Sequence, residues 1–156
     1  MKTLNRQELA IEIELQKDKS KGMLIMGNPG EGKTYAVKTP RMVSAIELAL
    51  DYQAYGIQAV KDKINAMVWL ENSNVTIDDL GQEPKVKNFG NELNPIEWVI
   101  LRIYSINQVA EKPIKLWLTT NFNMESLQEM YGARAVDRLY EMCDIVILKD
   151  TNLRRV

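Results

Sequence analysis

Short apolar runs alternate with longer amphipathic segments along most of the chain. Each run is bounded by polar or turn-forming residues, which is typical of buried strands in a parallel sheet. The runs that predict strands are 22–26, 41–45, 74–77, 114–118 and 145–148.

Capping residues predict where the first helices begin. Asn5 is a candidate cap for a helix from Arg6 to about Lys17, although IEIEL at 11–15 alternates and leaves a strand open there. Ser44 and Glu47 have the spacing of a capping box. The helix that they open is expected to continue, with a break near Gly56, to about residue 66.

Two later helical segments carry similar signals. Asn94 is a candidate cap with Pro95 at the first helical position. Asn123 or Ser126 starts another helix, which Gly132 interrupts. A polar loop is expected from Gly81 to Asn94.

Strands that alternate with helices predict an α/β fold, a three-layer αβα sandwich around a five-stranded parallel sheet. Within 156 residues we expect one domain. The predicted organisation is an N-terminal helical or extended segment over 1–22, a core over 23–150 and a basic C-terminal tail over 151–156.

Composition narrows the environment and the chemistry. The net charge of −1 argues against a chain that binds nucleic acid through its overall charge. A single cysteine, Cys143, excludes an internal disulfide, suggests a reducing compartment and predicts a small buried side chain. The absence of histidine excludes histidine triads and histidine zinc sites. With no apolar run near about 18 residues, we expect a soluble, cytoplasmic protein that does not enter a membrane.

The strongest motif is GNPGEGKT, from Gly27 to Thr34, which fits the Walker A pattern of a P-loop. Glycine-rich backbone allows N–H groups to surround the phosphates of ATP, Lys33 supplies a positive charge, and the Thr34 hydroxyl is a ligand for Mg²⁺. The alternative is a glycine-rich turn with an exposed lysine. The predicted nucleotide-binding residues are Gly27, Asn28, Pro29, Gly30, Glu31, Gly32, Lys33, Thr34 and Tyr35.

The chain after the motif is short. Six residues separate Thr34 from Arg41, and Pro40 disfavours a helix there, whereas parallel strands need a crossover of about a dozen residues. One hypothesis is that a segment is missing between Thr34 and Arg41, which an intact mass equal to 17.9 kDa would refute. If no segment is missing, the helix that follows the P-loop has only one turn, or residues 35–45 form one irregular element.

Acidic and amide side chains follow two of the predicted strands. Val75 to Asp79 read as a Walker B strand, in which Asp78 would hold Mg²⁺ and Asp79 would orient or deprotonate the attacking water. Asn121, after the fourth strand, is placed to contact the γ-phosphate and that water. The alternatives are a strand-ending turn for the aspartates and an Asx-turn for Asn121.

Two arginines, Arg134 and Arg138, lie four residues apart in YGARAVDRL and therefore share a helical face. One of them is a candidate arginine finger for a neighbouring subunit. The alternative is surface salt bridging with Asp137 or Glu141.

These segments together resemble the DnaC/DnaI-type helicase loaders and the IstB-type transposition helper ATPases, a branch of AAA+. The resemblance rests on GNPGEGKT, on IDDLG with Glu83 after it, on LTTN at 118–121 and on YGARAVDRL at 131–139, and it spans residues 23–148. It implies an ASCE/AAA+ P-loop core without a C-terminal lid. It also implies a homo-oligomer on single-stranded DNA that acts on a replicative helicase or a transposase, with Arg134 as the finger and Arg138 as a second γ-phosphate contact.

A few residues are candidates for contact with DNA. Lys85 and Lys87 lie close together after the Walker B segment, and Phe89 could stack on a base, although such charges are usually solvated surface. Arg154 and Arg155 form a small basic tail. The tryptophans are predicted core residues rather than base platforms: Trp69, Trp98 and Trp117.

The leading function is therefore an oligomerising ATPase, with ATP and Mg²⁺, that remodels a DNA-bound partner. A small-molecule P-loop kinase is the first alternative, and a non-hydrolysing, nucleotide-gated binding module is the second.

Overall fold

The computed structural model describes residues 1–28 and 41–149, over which strands alternate with helices. The strands are β1 (Lys2–Leu4), β2 (Gly22–Gly27), β3 (Val43–Ser44), β4 (Asn74–Leu80), β5 (Lys87–Asn88), β6 (Asn91–Glu92), β7 (Lys115–Thr120) and β8 (Cys143–Leu148). The helices are α1 (Arg6–Gln16), α2 (Ala45–Tyr55), α3 (Ile57–Leu70), α4 (Pro95–Asn107), α5 (Met124–Tyr131) and α6 (Ala133–Met142).

Side-chain caps start α1, α2, α4 and α5 at the predicted positions. The Glu8 backbone N–H donates to Asn5 Oδ1 at 2.8 Å, so that 11–15 belong to a helix and the alternative of a strand is wrong. The Glu47 N–H donates to Ser44 Oγ at 3.0 Å, and the Glu47 carboxylate accepts from the Ser44 N–H, which completes the capping box. Asn123, rather than Ser126, caps α5.

Among the described residues the main sheet has six parallel strands, in the order β1-β8-β2-β7-β4-β3. The α/β fold with a parallel sheet is confirmed, but the predicted number of five strands is too small. The additional strand is β1, which pairs Thr3 with Ile147 at the edge of the sheet. Three residues are too few to display an apolar run, so the sequence offered no signal for it.

Alternate residues of β2 point to opposite faces of the sheet. Leu24 and Met26 join a large apolar cluster that includes residues from α2 to α6. Met23 and Ile25 join a smaller cluster, on which α1 packs through Leu9. This period of two places helices on both faces, as a sandwich requires.

The loop after β4 holds a small antiparallel hairpin, in which Lys87 pairs with Glu92, where a loop without strands was expected. The prediction for Trp69 is wrong, because this residue ends α3 with 86% of its surface exposed. Trp117 is buried, Trp98 is half-buried against the large cluster, and Cys143 is buried as predicted. Within the described ranges no helix has both the length and the apolar character needed to cross a bilayer.

Candidate functional site

The carboxyl ends of three neighbouring strands bring Gly27, Asp78 and Asn121 to one side of the sheet. Met26 on β2 pairs with Thr120 on β7, and Ser44 on β3 pairs with Asp78 on β4. Parallel strands end on the same side, so Gly27 at the end of β2 lies at this edge as well. Chain segments far apart in the sequence therefore meet at the position where ligands bind in open α/β sheets.

Asp78 is held by a buried hydroxyl on the neighbouring strand. The Thr119 hydroxyl donates to Asp78 Oδ1, and Thr119 Oγ1 also accepts the Asp79 backbone N–H at 3.0 Å. Thr119 is fully buried, while the two aspartates are half-buried. One threonine therefore orients the carboxylate and fixes the backbone of the next residue. Thr119 lies two residues before Asn121 in the sequence, but the sequence does not indicate either of these two hydrogen bonds.

Asp79 has an unusual backbone conformation. Its φ is +58°, and the pairing register of β4 with β7 shifts between Ile77 and Leu80. A left-handed conformation is costly for an L-residue and is found disproportionately at functional sites. A bulge of this kind redirects side chains at the end of a strand, so Asp79 and Asp78 do not follow the ordinary alternation.

The turn that contains Asn121 is tied to the end of β4. The Thr120 hydroxyl donates to the Leu80 carbonyl at 2.8 Å and accepts the Phe122 N–H at 3.1 Å. Asn121 lies between these two bonded residues and is half-buried. The predicted amide is thus on a turn whose position relative to β4 is fixed by hydrogen bonds.

A closed hydrogen-bond triangle follows Asp79. The Gly81 N–H donates to Glu83 Oε1 at 2.8 Å and to the Tyr131 hydroxyl oxygen at 2.9 Å. The Tyr131 hydroxyl donates in turn to Glu83 Oε2 at 2.6 Å. Burial, followed by the charge of Glu83 and its hydrogen bond, raises the pKa of Tyr131 well above its ordinary value, so the hydroxyl keeps its proton. The sequence did not indicate that Tyr131 takes part.

The two arginines differ in their surroundings. Arg134 lies in the first turn of α6, two residues after Gly132, and is exposed. Arg138 Nη1 donates to Glu141 Oε1 at 3.1 Å, and its guanidinium lies 4.1 Å from the centre of the Tyr104 ring. The surroundings of Arg138 are thus those of the salt-bridging alternative. A phosphate-contacting role for either arginine stays a prediction.

Most of the Walker A motif lies outside the described residues. Pro29, Gly30, Glu31, Gly32, Lys33, Thr34 and Tyr35 belong to that part, as do the short link before Arg41, Arg154 and Arg155. Gly27 is the last residue of β2, and Asn28 follows it with an exposed side chain.

The donor set at the edge suits Mg²⁺. No group of three acidic or cysteine side chains among the described residues could enclose a metal ion. Magnesium bound with nucleotide needs no such enclosure, because it keeps several waters and takes one or two carboxylates together with phosphate oxygens. A half-buried Asp78 carboxylate that a neighbouring threonine orients fits this kind of site.

The candidate DNA-contacting residues lie on the hairpin loop. Lys85 and Lys87 are exposed, and Lys87 Nζ lies 3.0 Å from Glu92 Oε1. Phe89 is 98% exposed with a φ of +50°. A cleft of about 360 Å³ separates residues 84–87 from residues 92–95. The loop therefore presents an exposed Lys85 and an unburied aromatic ring, together with a Lys87 that pairs with Glu92.

No family model matches the chain, and no curated protein matches it. Among solved structures, the chain is similar to the FIGL-1 AAA domain in complex with ADP, with a TM-score of 0.51 and 16% sequence identity. The match covers 88% of this chain and 47% of that chain, so the chain spans about half the length of that structure. The chain therefore has an α/β fold similar to that of an AAA domain. At this identity the similarity concerns the fold, and no lid domain is evident within the described residues.

Proposed function

We propose that this chain binds ATP with Mg²⁺ and hydrolyses it to ADP and phosphate. The observation that carries the proposal is the pair Asp78 and Asp79 at the carboxyl edge of the sheet, held by Thr119. Thr119 lies on β7, the strand that pairs with β2, and β2 leads into GNPGEGKT. The AAA-type fold, found in a domain solved with ADP, supports the same conclusion.

The roles proposed for Lys33 and Thr34 follow from the sequence motif, and those of Asp78, Asp79 and Asn121 follow from their positions in the structure. Lys33 and the P-loop backbone would bind the phosphates, and Thr34 and Asp78 would hold the metal ion. Asp79 would orient the attacking water and accept its proton, with Asn121 as a second partner of that water. Magnesium, when bound, neutralises charge that develops on the phosphate oxygens. The left-handed φ of Asp79 supports its role, because the bulge releases Asp79 from the alternation that would turn its side chain to the face opposite that of Asp78.

We further propose that the active form is a homo-oligomer. Arg134 is exposed at the start of α6, which leaves its guanidinium accessible to a neighbouring subunit. An arginine from one subunit that enters the site of another would stabilise transition-state charge there. Arg138 is the weaker candidate for a phosphate contact, since it already pairs with Glu141.

The biological role that we propose is remodelling of a DNA-bound partner, a replicative helicase or a transposase. The support is the resemblance of four segments to the helicase loaders and transposition helpers, together with the exposed Lys85, Lys87 and Phe89 on one loop. Single-stranded DNA would contact this loop through its phosphates and through stacking on the aromatic ring.

ADP production by the purified chain tests the enzymatic proposal. For Lys33→Ala we expect loss of ATP binding, and retained tight binding would contradict the P-loop assignment. For Arg134→Ala we expect unchanged ATP affinity and a fall in turnover of at least about 100-fold. Arg102→Ala, which removes an exposed arginine on α4, is the matched control and should have normal turnover. Equal turnover of the two variants in an assembled sample would refute the finger.

The same assay with and without single-stranded DNA tests the proposed partner class. We expect DNA to stimulate ADP production, and we expect Phe89→Ala to weaken DNA binding without changing ATP affinity. The control is Trp69→Ala, which removes another exposed aromatic side chain away from the loop. A chain whose turnover ignores DNA and whose DNA affinity ignores Phe89 would contradict this part of the proposal.

A further inference from the structure

We propose that Glu83 and Tyr131 are positioning residues for hydrolysis, which join the turn after Asp79 to the start of the helix that carries Arg134. The inference rests on the proposed ATPase function and assigns residues that act through Asp79 and Arg134 rather than on the nucleotide. Neither residue is in the set of predicted site side chains.

The hydrogen-bond triangle is closed, and its tyrosine is shielded from water. Gly81 N–H reaches both partners, at 2.8 Å and 2.9 Å, and Tyr131 donates its own proton to the remaining oxygen of Glu83 at 2.6 Å. Tyr131 is 1% exposed. Hydrogen bonds to a carboxylate are short and strong compared with neutral ones, so these three groups have one preferred arrangement.

One side of the triangle controls the turn of Asp79. Gly81 lies two residues after Asp79, and the Gln82 N–H donates to the Asp79 carbonyl at 3.2 Å, which closes the turn. Asp79 has a left-handed φ of +58°, a conformation that persists only where surrounding contacts enforce it. Bonds at Gly81 supply such enforcement immediately downstream of the strained residue.

The other side of the triangle controls the start of α6. Tyr131 is the last residue of α5, Gly132 follows with a φ of +92°, and Arg134 lies in the next turn. Asn94 Nδ2 donates to the Met130 carbonyl at 3.2 Å and anchors the same corner. Because Tyr131 joins both sides, a shift of its hydroxyl displaces the Asp79 turn and the Arg134 helix together.

Tyr131→Phe is the direct test, because it removes the hydroxyl and keeps the ring in its packing. We expect kcat to fall about tenfold while ATP affinity and KM stay within about twofold, the pattern of an interaction that acts in the transition state. Tyr140→Phe, which changes a tyrosine of α6 that is 48% exposed, should leave kcat unchanged. Glu83→Gln keeps an acceptor oxygen and should have a smaller loss than Tyr131→Phe.

A double-mutant comparison tests the connection to Arg134. If Tyr131 acts through Arg134, adding Tyr131→Phe to Arg134→Ala should cost less than the tenfold loss that it causes alone. A combined loss equal to the product of the two single losses would overturn the link. Should Tyr131→Phe lower the melting temperature into the assay range, Glu83→Gln in the same comparison provides the decision.

The failures of the two proposals are distinguishable. If the wild-type chain produces no ADP in any assembled sample, the proposed function fails, and this inference fails with it. If the wild-type chain hydrolyses ATP and Tyr131→Phe matches Tyr140→Phe, the ATPase stands and the positioning role is wrong. A parallel loss of ATP affinity and kcat in Tyr131→Phe would also overturn it, since that result indicates general damage to the fold.

Discussion

Gly81→Ala is expected to destabilise the chain because the position combines a left-handed backbone with a filled environment. The φ of Gly81 is +95°. A Cβ built there would lie 2.4 Å from Phe122 Cδ2 and 2.6 Å from Cε2, with Met130 Sδ at 3.2 Å. Carbon atoms in ordinary contact are about 3.5–4.0 Å apart, so the Phe122 ring must move by more than about 1 Å.

A second glycine separates the two causes of the lost stability, which are backbone strain and the clash with Phe122. Gly90 has a φ of +80°, but a Cβ at that position would meet no atom within 4 Å. Gly90→Ala therefore reports backbone strain alone, about 1–2 kcal/mol, reduced by about 0.4–1 kcal/mol because alanine restricts the unfolded chain. Gly81→Ala adds overpacking against a half-buried ring, a further 1–3 kcal/mol, roughly. The difference between the two variants isolates the clash.

Thermal unfolding followed by circular dichroism measures this difference. For a chain of this size each 1 kcal/mol lowers the melting temperature by about 2–4 °C, so Gly81→Ala should melt roughly 2–12 °C below Gly90→Ala. Combining Gly81→Ala with Phe122→Ala should restore part of the loss that is due to the clash. Equal melting temperatures for the two glycine variants would refute the reasoning, because the close approach of Phe122 to Gly81 would then carry no energetic cost.

Two further predictions concern buried groups. Burial raises the pKa of the Cys143 thiol to about 12, so in the native chain at pH 8 the thiol should resist a disulfide reagent and react only after unfolding. The raised pKa also links folding to pH, because the folded state favours the uncharged thiol. The stability that this thiol contributes is therefore complete below about pH 9 and is lost as the pH rises toward 12. Trp117 is 7% exposed and its indole donates to Asn74 Oδ1 at 2.9 Å, so Trp117→Ala should cost about 3–5 kcal/mol in chemical denaturation, while Trp69→Ala should change stability by less than about 0.5 kcal/mol. Rapid native labelling of Cys143, or equal costs at the two tryptophans, would contradict these expectations.

Local signals made most of the fold predictable. The Ser44 and Glu47 capping box needs only a spacing of three residues, and the structure contains both of its hydrogen bonds. The β1 strand has no such local signal, since Lys2–Leu4 become a strand through pairing with Val146, Ile147 and Leu148. The prediction that Trp69 is a core residue is wrong for a related reason. Its apolar ring favours burial, but at the end of α3 no element among residues 1–28 and 41–149 covers it.

In the candidate site, too, local signals predict some residues, and others depend on how the strands pair. Asp78, Asp79 and Asn121 could be predicted because each follows an apolar strand, and parallel strands end at one edge. The partner of Asp78 depends instead on the register between β4 and β7, which a bulge after Ile77 shifts. A one-residue change of register turns every side chain to the opposite face, so no spacing rule within β4 could have selected Thr119. Glu83 and Tyr131 are 48 residues apart, and their bond depends on where α5 ends. The sequence can therefore predict the groups that take part in the chemistry. The groups that hold them in place can be identified only once the pairing of the strands is known.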